Sequence, residues 1–249
     1  MWKSSTMMPV PSSGHIFETT LPVLSSDLDE SDQVRPDGIA RYLQEAGFQH
    51  LIANGMDESH PHWIVRRTVI DVIEPIKWPD QLRARRWCAA LSSRWCSMRI
   101  RLDGGDGGLV ETEAFWICMN LNTQAPARMS DEFINTIGDT TSEHRLKWKS
   151  WLSNPVSKQA SIKFHVRRTD IDMWKHVTNS AYWQGIHEVT ANHSDITSIP
   201  HRYVIEYNKP ITSGEDVRIW TELESDGTLQ IAFAVGDEVR TRAAVMALP

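Results

Sequence analysis

Residue types that can move a proton and hold a carbonyl fall within one short stretch, residues 169–183, "TDIDMWKHVTNSAYW". Asp172 can act as a general base or hold a water. His176, four residues on, can share a proton with it, bond a carbonyl or orient that water. A helix starting near Thr178 or Asn179 presents unpaired backbone N–H groups and the positive end of its dipole. Such donors suit a developing oxyanion. Together these groups suit attack of a water on a carbonyl. Plainer roles compete with them. Asp172 can satisfy its own turn, His176 can be a solvated or core histidine, and Asn179 can be a helix N-cap, the role we favour for it. The aspartate and the histidine together, ahead of a helix, favour chemistry.

The loop has a degenerate copy upstream. A shift of 143 positions sets Asp27-Leu28-Asp29 on Asp170-Ile171-Asp172, Glu45 on Glu188 and His50 on His193, but puts Gln33 in place of His176. A shift of 135 matches "PIKWPDQLR" with "PITSGEDVR", and one of 129 matches "VETEAFWICM" with "VRTRAAVMAL". Three matches in one order mean two copies of one domain, the second with shorter loops.

Each copy must position its loop between a strand and a helix. "IKFHVRR" alternates apolar Ile162, Phe164 and Val166 with polar residues, the period of a half-buried strand. In "DGIARYLQEAGFQHLIANG", Ile39, Leu43, Ala46 and Leu51 recur at helical spacing, and Gly55 stands at the C-cap. Several strands follow in each copy, one pair joined by the glycine-rich hairpin "LDGGDGGL". This order implies an α+β fold, an antiparallel sheet with one helix packed on it per copy. The expected boundaries are 15–130 and 160–249, with 131–159 a linker carrying a short helix.

Bulk properties exclude several classes. The 249-residue chain has a formal net charge of -6, which opposes general nucleic-acid binding. It holds no stretch of about 18 apolar residues for a membrane span. The first 14 residues lack a secretory pattern and read as a frayed leader, which points to the cytoplasm. Three cysteines lack metal spacing and read as reduced thiols. "HPH" at His60–His62 has no evident third ligand, and no G-x-S-x-G elbow occurs, so neither metal nor cofactor is expected. Arginine gathers in "WIVRRTV", "RARRW", "RWCSMRIR" and "HVRRTD", either as solvated strand faces or as a dock for an acidic partner.

"RRTDIDMWKHVTNSAYW" resembles the R-R-x-D-L-D-M-N-x-H-V-N-N-x-x-Y signature of plant and bacterial acyl-acyl-carrier-protein (acyl-ACP) thioesterases. "FETTLPVLSSDLDESDQVRPDGIARYLQEAGFQH", "EPIKWPDQLRARRW" and "VIEYNKPI" resemble further segments of that family, from Phe17 onward. Two departures stand out. The family's catalytic asparagine is Trp174 here, and its Glu-Cys pair falls on Pro210 and Ile211.

The resemblance implies a tandem, double hot-dog fold, each long helix wrapped by a curved antiparallel sheet. It implies hydrolysis of fatty acyl-ACP at Asp172 and His176, with Asn179 and Glu188 as further catalytic candidates and Glu206 as another carboxylate to place. The first copy would bind the acyl chain through Ile39 and Leu43, backed by Phe48. Trp174, Val177 and Tyr182 would add pocket wall from the second. Arg83, Arg85 and Arg86 would dock the acidic carrier protein. An acyl-CoA thioesterase, a hot-dog hydratase and a non-catalytic acyl-binding protein are the alternatives, as monomer or homodimer.

Overall fold

The computed structural model describes residues 2–4, 6–197 and 200–248. Among them, two long helices, α1 (Pro36–Ala53) and α3 (Asn179–Thr190), pack together on a ten-stranded sheet. The N-terminal strands are β1 (Phe17–Pro22), β2 (Trp63–Glu74), β3 (Gln81–Leu91), β4 (Trp95–Gly104) and β5 (Leu109–Cys118). A short helix, α2 (Asp131–Ile137), follows. The C-terminal strands are β6 (Ala160–Phe164), β7 (His201–Tyr207), β8 (Val217–Leu223), β9 (Leu229–Val235) and β10 (Glu238–Ala247).

The sheet order is β1-β3-β4-β5-β2-β7-β10-β9-β8-β6, with antiparallel neighbours throughout. It reads alike from both ends once β1–β5 are matched with β6–β10. The sequence offsets carry over. A shift of 143 takes Pro36, the first residue of α1, to Asn179, the first of α3. A shift of 129 takes β5 onto β10 end to end. A shift of 135 takes Val69 to Val204, and these two residues face each other where β2 pairs with β7. A pseudo-twofold axis therefore passes between them. The fold is the expected α+β double hot-dog, its two sheets fused into one.

One apolar core runs through both halves on the helix side. Ile39, Tyr42 and Ala46 from α1 meet Ala181, Tyr182, Ile186 and Val189 from α3 over the inward residues of the strands. Each such large side chain contributes about 1.5–3 kcal/mol by leaving water.

The other face of the sheet is covered by the segment from 141 to 159. Leu152 packs on Val69, Val204 and Ala244, and Val156 on Trp220, Ala232 and Ala234. Glu206 anchors this crossing. Its carboxylate accepts from Arg67 Nη1 (3.1 Å), Ser150 Oγ (2.6 Å), and the N–H groups of Trp151 (2.8 Å) and Leu152 (3.2 Å). Glu206 is thus a structural tie on the face away from the helices.

Described residues of the leader dock on the sheet, against the expectation of a frayed end. Trp2 packs beside Leu152, its carbonyl accepts from Arg202, and Lys3 bridges Glu224 and Asp226. The three cysteines are free and buried.

Candidate active site

The loop before each long helix is braced by its aspartate in the same way. Asp172 Oδ1 accepts from the N–H groups of Trp174 (2.9 Å) and His176 (3.0 Å). The Asp172 N–H donates to the His176 carbonyl (2.8 Å), and Lys175 turns the chain with φ 65°. In the first copy Asp29 Oδ1 accepts from Ser31 (2.8 Å) and Gln33 (3.0 Å), and Asp32 turns with φ 59°. The turn role of Asp172 is therefore real, but it occupies one oxygen. Oδ2 meets no donor among the described residues. His176 is exposed, and its backbone bridges Thr212. The Val177 N–H donates to the Ile211 carbonyl (2.8 Å), so the segment carrying Pro210 and Ile211 backs the loop.

Thr178, and not Asn179, holds the N-cap position of α3, with no side-chain cap bond. Asn179 is the first helical residue. Its N–H and that of Ser180 meet no acceptor among the described residues, and the first turn holds no acidic side chain. The positive end of the helix is left open. Beneath it, buried Asp170 is held by Arg167 (2.7 Å), and its carbonyl accepts the Thr178 N–H (2.7 Å).

A narrow cavity of about 40 Å³ lies between α1 and the N-terminal half of the sheet. Ala40, Leu43 and Gln44 line it from α1, and Val65, Met98, Ile100, Ala114 and Trp116 from the strands. Asn179 and Trp183 close it from α3. On the outer side of that same helix end, a groove of about 530 Å³ holds Thr178 and Ser180, with Leu24, Arg41 and Phe48 opposite. Gln44 lines both spaces. The open end of α3 stands between them.

Several expected pocket residues fall elsewhere. Leu43 and Asn179 line the cavity; Ile39, Val177 and Tyr182 belong to the shared core, at most 5% exposed. Tyr182 stacks edge-on against Tyr207 and Phe233, and burial pushes its hydroxyl up to about 12. Phe48 faces the outer groove, not the cavity. Glu188 is exposed nine residues along α3 from Asn179, roughly 14 Å by helical rise, and so stands apart from the loop.

The arginine group also divides. Arg83 pairs with Glu18 (2.7 Å) and Arg85 with Asp103 (2.7 Å) on the outer face of β3. Arg86 shares the inward parity of Leu82 and Ala84 and lines the cavity. Arg83 and Arg85 share one face of β3 and Arg86 lies on the other, because side chains alternate across the sheet.

One residue near the loop escaped assignment. His62 packs its ring against Trp174, centroids 4.9 Å apart, so Trp174 reaches across to the N-terminal half without lining the cavity. The His62 Nδ1 is buried without a partner. Burial holds this imidazole below the usual histidine range, against the opposing pull of the Asp172 carboxylate. The "HPH" motif was its only sequence signal. The first histidine of that motif is structural: His60 Nε2 accepts from the Ser130 N–H (3.1 Å) before α2.

A double hot-dog with one open helix end against an apolar cavity has the form of a thioester hydrolase. Residues 14–137 match the acyl-ACP thioesterase N-terminal domain, and residues 153–243 match its C-terminal domain. An uncharacterized protein of Mycobacterium tuberculosis, Rv2001, is 49% identical over 233 residues, covering 94% of this chain and 92% of its own. An acyl-ACP thioesterase structure from Bacteroides thetaiotaomicron shares the fold with TM-score 0.76 at 16% identity, over 93% of this chain and 97% of that one. The 12:0-ACP thioesterase from Umbellularia californica gives 0.72 at 18% identity, over 93% and 96%. The chain belongs to the acyl-ACP thioesterase family and is a thioester hydrolase.

Proposed function

We propose that this enzyme hydrolyses a fatty acyl thioester carried on acyl carrier protein, releasing the free acid and the carrier thiol. The observation that carries this reading is the open N-terminus of α3, set between the inner cavity and the outer groove. The acyl chain enters the cavity along Leu43 and Met98, displacing the adaptable methionine side chain to make room. The carrier's arm lies in the outer groove. The thioester carbonyl then meets the N–H groups of Asn179 and Ser180, which stabilise the oxyanion. Asp172, oriented by the two bonds to Oδ1, uses Oδ2 to hold or deprotonate the attacking water, and His176 shares that proton. His62 and Trp174 form the wall that limits other water.

The carrier assignment rests on family membership; Arg83 and Arg85 are each paired with a carboxylate and add little net charge. The test is thiol release from a chain-length series of matched carrier-protein and CoA thioesters. The expected result is faster turnover on the carrier protein, lost in both Asp172→Ala and His176→Ala. Faster turnover on CoA would reassign the carrier, and full activity in both variants would refute the site.

A further inference from the structure

Arg86 is a cation inside an apolar cavity without an anion to match it. It lies on β3, at the cavity wall opposite α3. The cavity runs from Asn179, Trp183 and Tyr207 across β2, β5 and β4 to Arg86. Those four inter-strand steps set the backbone of β3 roughly 19 Å along the sheet from β7. No carboxylate pairs with Arg86 among the described residues. Its one hydrogen-bond partner is His50 Nδ1, to which Nη1 donates.

His50 cannot neutralise that charge. Arginine only donates, so His50 Nδ1 accepts and its proton sits on Nε2, directed to His15 Nε2 at 3.1 Å. His50 is stacked between His15 and Phe17, and burial beside Arg86 holds it down at about 2, so it stays neutral. Burial also pulls the guanidinium down, with no carboxylate offsetting it. Arginine nonetheless remains charged in proteins. Arg86 is half-buried; a charge left without a partner in an apolar cavity is costly, and a ligand anion is the natural complement.

The rest of the lining explains how a chain would reach it. Leu43, Met98, Ile100 and Ala114 are apolar, and the Thr112 hydroxyl is occupied by the Ile100 carbonyl (2.9 Å). Gly47 shares the helix face of Ala40, Leu43 and Gln44, and a Cβ there would meet nothing within 4 Å.

We infer that Arg86 selects acyl chains carrying a carboxylate at the end remote from the thioester, that is, the monothioesters of dicarboxylic acids. The inference rests on the proposed thioesterase reading for the direction in which the chain enters. Two measurements separate them. The first is binding, by calorimetry, of the monomethyl ester of a long dicarboxylic acid against the methyl ester of the monocarboxylic acid of equal length. The wild type should bind the carboxyl-ended ester about 10- to 100-fold more tightly, as for a charged hydrogen bond. Arg86→Met should abolish that margin, and Arg86→Lys should keep part of it. Equal affinities in the wild type, or a margin that survives Arg86→Met, would overturn the inference.

The second measurement is thiol release from the corresponding pair of thioesters, with an ω-hydroxyacyl thioester as a third substrate. The same preference should appear in kcat/KM and be lost in Arg86→Met. An ω-hydroxyacyl chain used as well as the carboxyl-ended one would overturn the requirement for charge. Absence of thiol release from every thioester would instead fail the thioesterase reading, and the binding pair would still decide the role of Arg86. Should Arg86→Met not fold, the wild-type pair and Arg86→Lys decide it.

Discussion

The two loop–helix units differ at the end of the helix more than in the loop. Asp29 and Asp172 brace their loops with matching pairs of N–H bonds. After the first loop, Pro36 removes the first N–H of α1, and Asp37 sits fully buried in the first turn. Its carboxylate is held by Arg35 (3.0 Å) and Arg41 (3.0 Å) and reaches Gln184 of α3 (3.4 Å). Despite burial, those two arginines hold it below the usual carboxylate range. That helix end carries the protein's own anion, held by side chains rather than by the backbone N–H groups. After the second loop, Asn179 and Ser180 stand at the matching positions and leave the donors free. The difference is one of charge: a carboxylate in the first turn of α1 complements the helix dipole there, and α3 has none.

Packing divides the halves in the opposite sense. The C-terminal half is filled by aromatic rings, with Tyr182, Phe164 and Phe233 in edge contacts. A Cβ on Gly185 would come within 2.8 Å of Phe233 and 3.1 Å of Ile219 and Phe164. The N-terminal half keeps its cavity and the open space beside Gly47. The open helix end and the cavity thus belong mainly to different halves.

The sharpest way to break this comparison is to remove the two braces separately. Asp172→Ala should lower kcat by about 10²–10⁴, the range of general acid–base contributions. Asp29→Ala cuts the same two bonds in the other copy and should lower Tm while leaving kcat within about twofold. Equal effects on kcat would reduce Asp172 to a brace. Next comes transplanting the closed helix end: Ser180→Asp copies Asp37 onto α3. It should cost about 10²–10³ in kcat, as for a lost oxyanion donor, with an unchanged circular dichroism spectrum. Undiminished turnover would mean that the α3 terminus does not meet the oxyanion.

The packing contrast makes a smaller, two-signed prediction. Gly185→Ala should destabilise by about 1–3 kcal/mol through overpacking. Gly47→Ala should stabilise by about 0.5–1 kcal/mol, since alanine suits a helix interior and meets no obstacle. Thermal melts of the two variants should move in opposite directions; a common direction would undo the contrast. The last test concerns pH. Folded His50 takes a proton only near 2, whereas the unfolded residue does so near 6.5. Its depressed value contributes stability above 6.5 that is lost as pH falls through the window below. The pH slope of unfolding free energy between 6 and 4 should fall by about one proton in His50→Gln. An unaltered slope would show that His50 is not held neutral.

Much of this was legible in the chain itself. The helical stripe of Ile39 and Ala46 marked α1, and the 143, 135 and 129 offsets matched the symmetry of the sheet; the alternation of Ile162 and Phe164 marked strand β6 but not its burial, since Ile162 is exposed on this edge strand and Val166 lies beyond it. These are local patterns set by backbone periods of two and 3.6 residues. Even Arg86 could have been placed, since it shares the strand parity of Leu82 and Ala84, but its charge suggested a surface. The tertiary structure alone decided that Asn179 lines a cavity, that His62 meets Trp174, and that Tyr182 is core. Each depends on contact between halves or between distant elements, and local spacing carries no record of which distant surface a side chain will face. The loop motif was local; the space beside it was not.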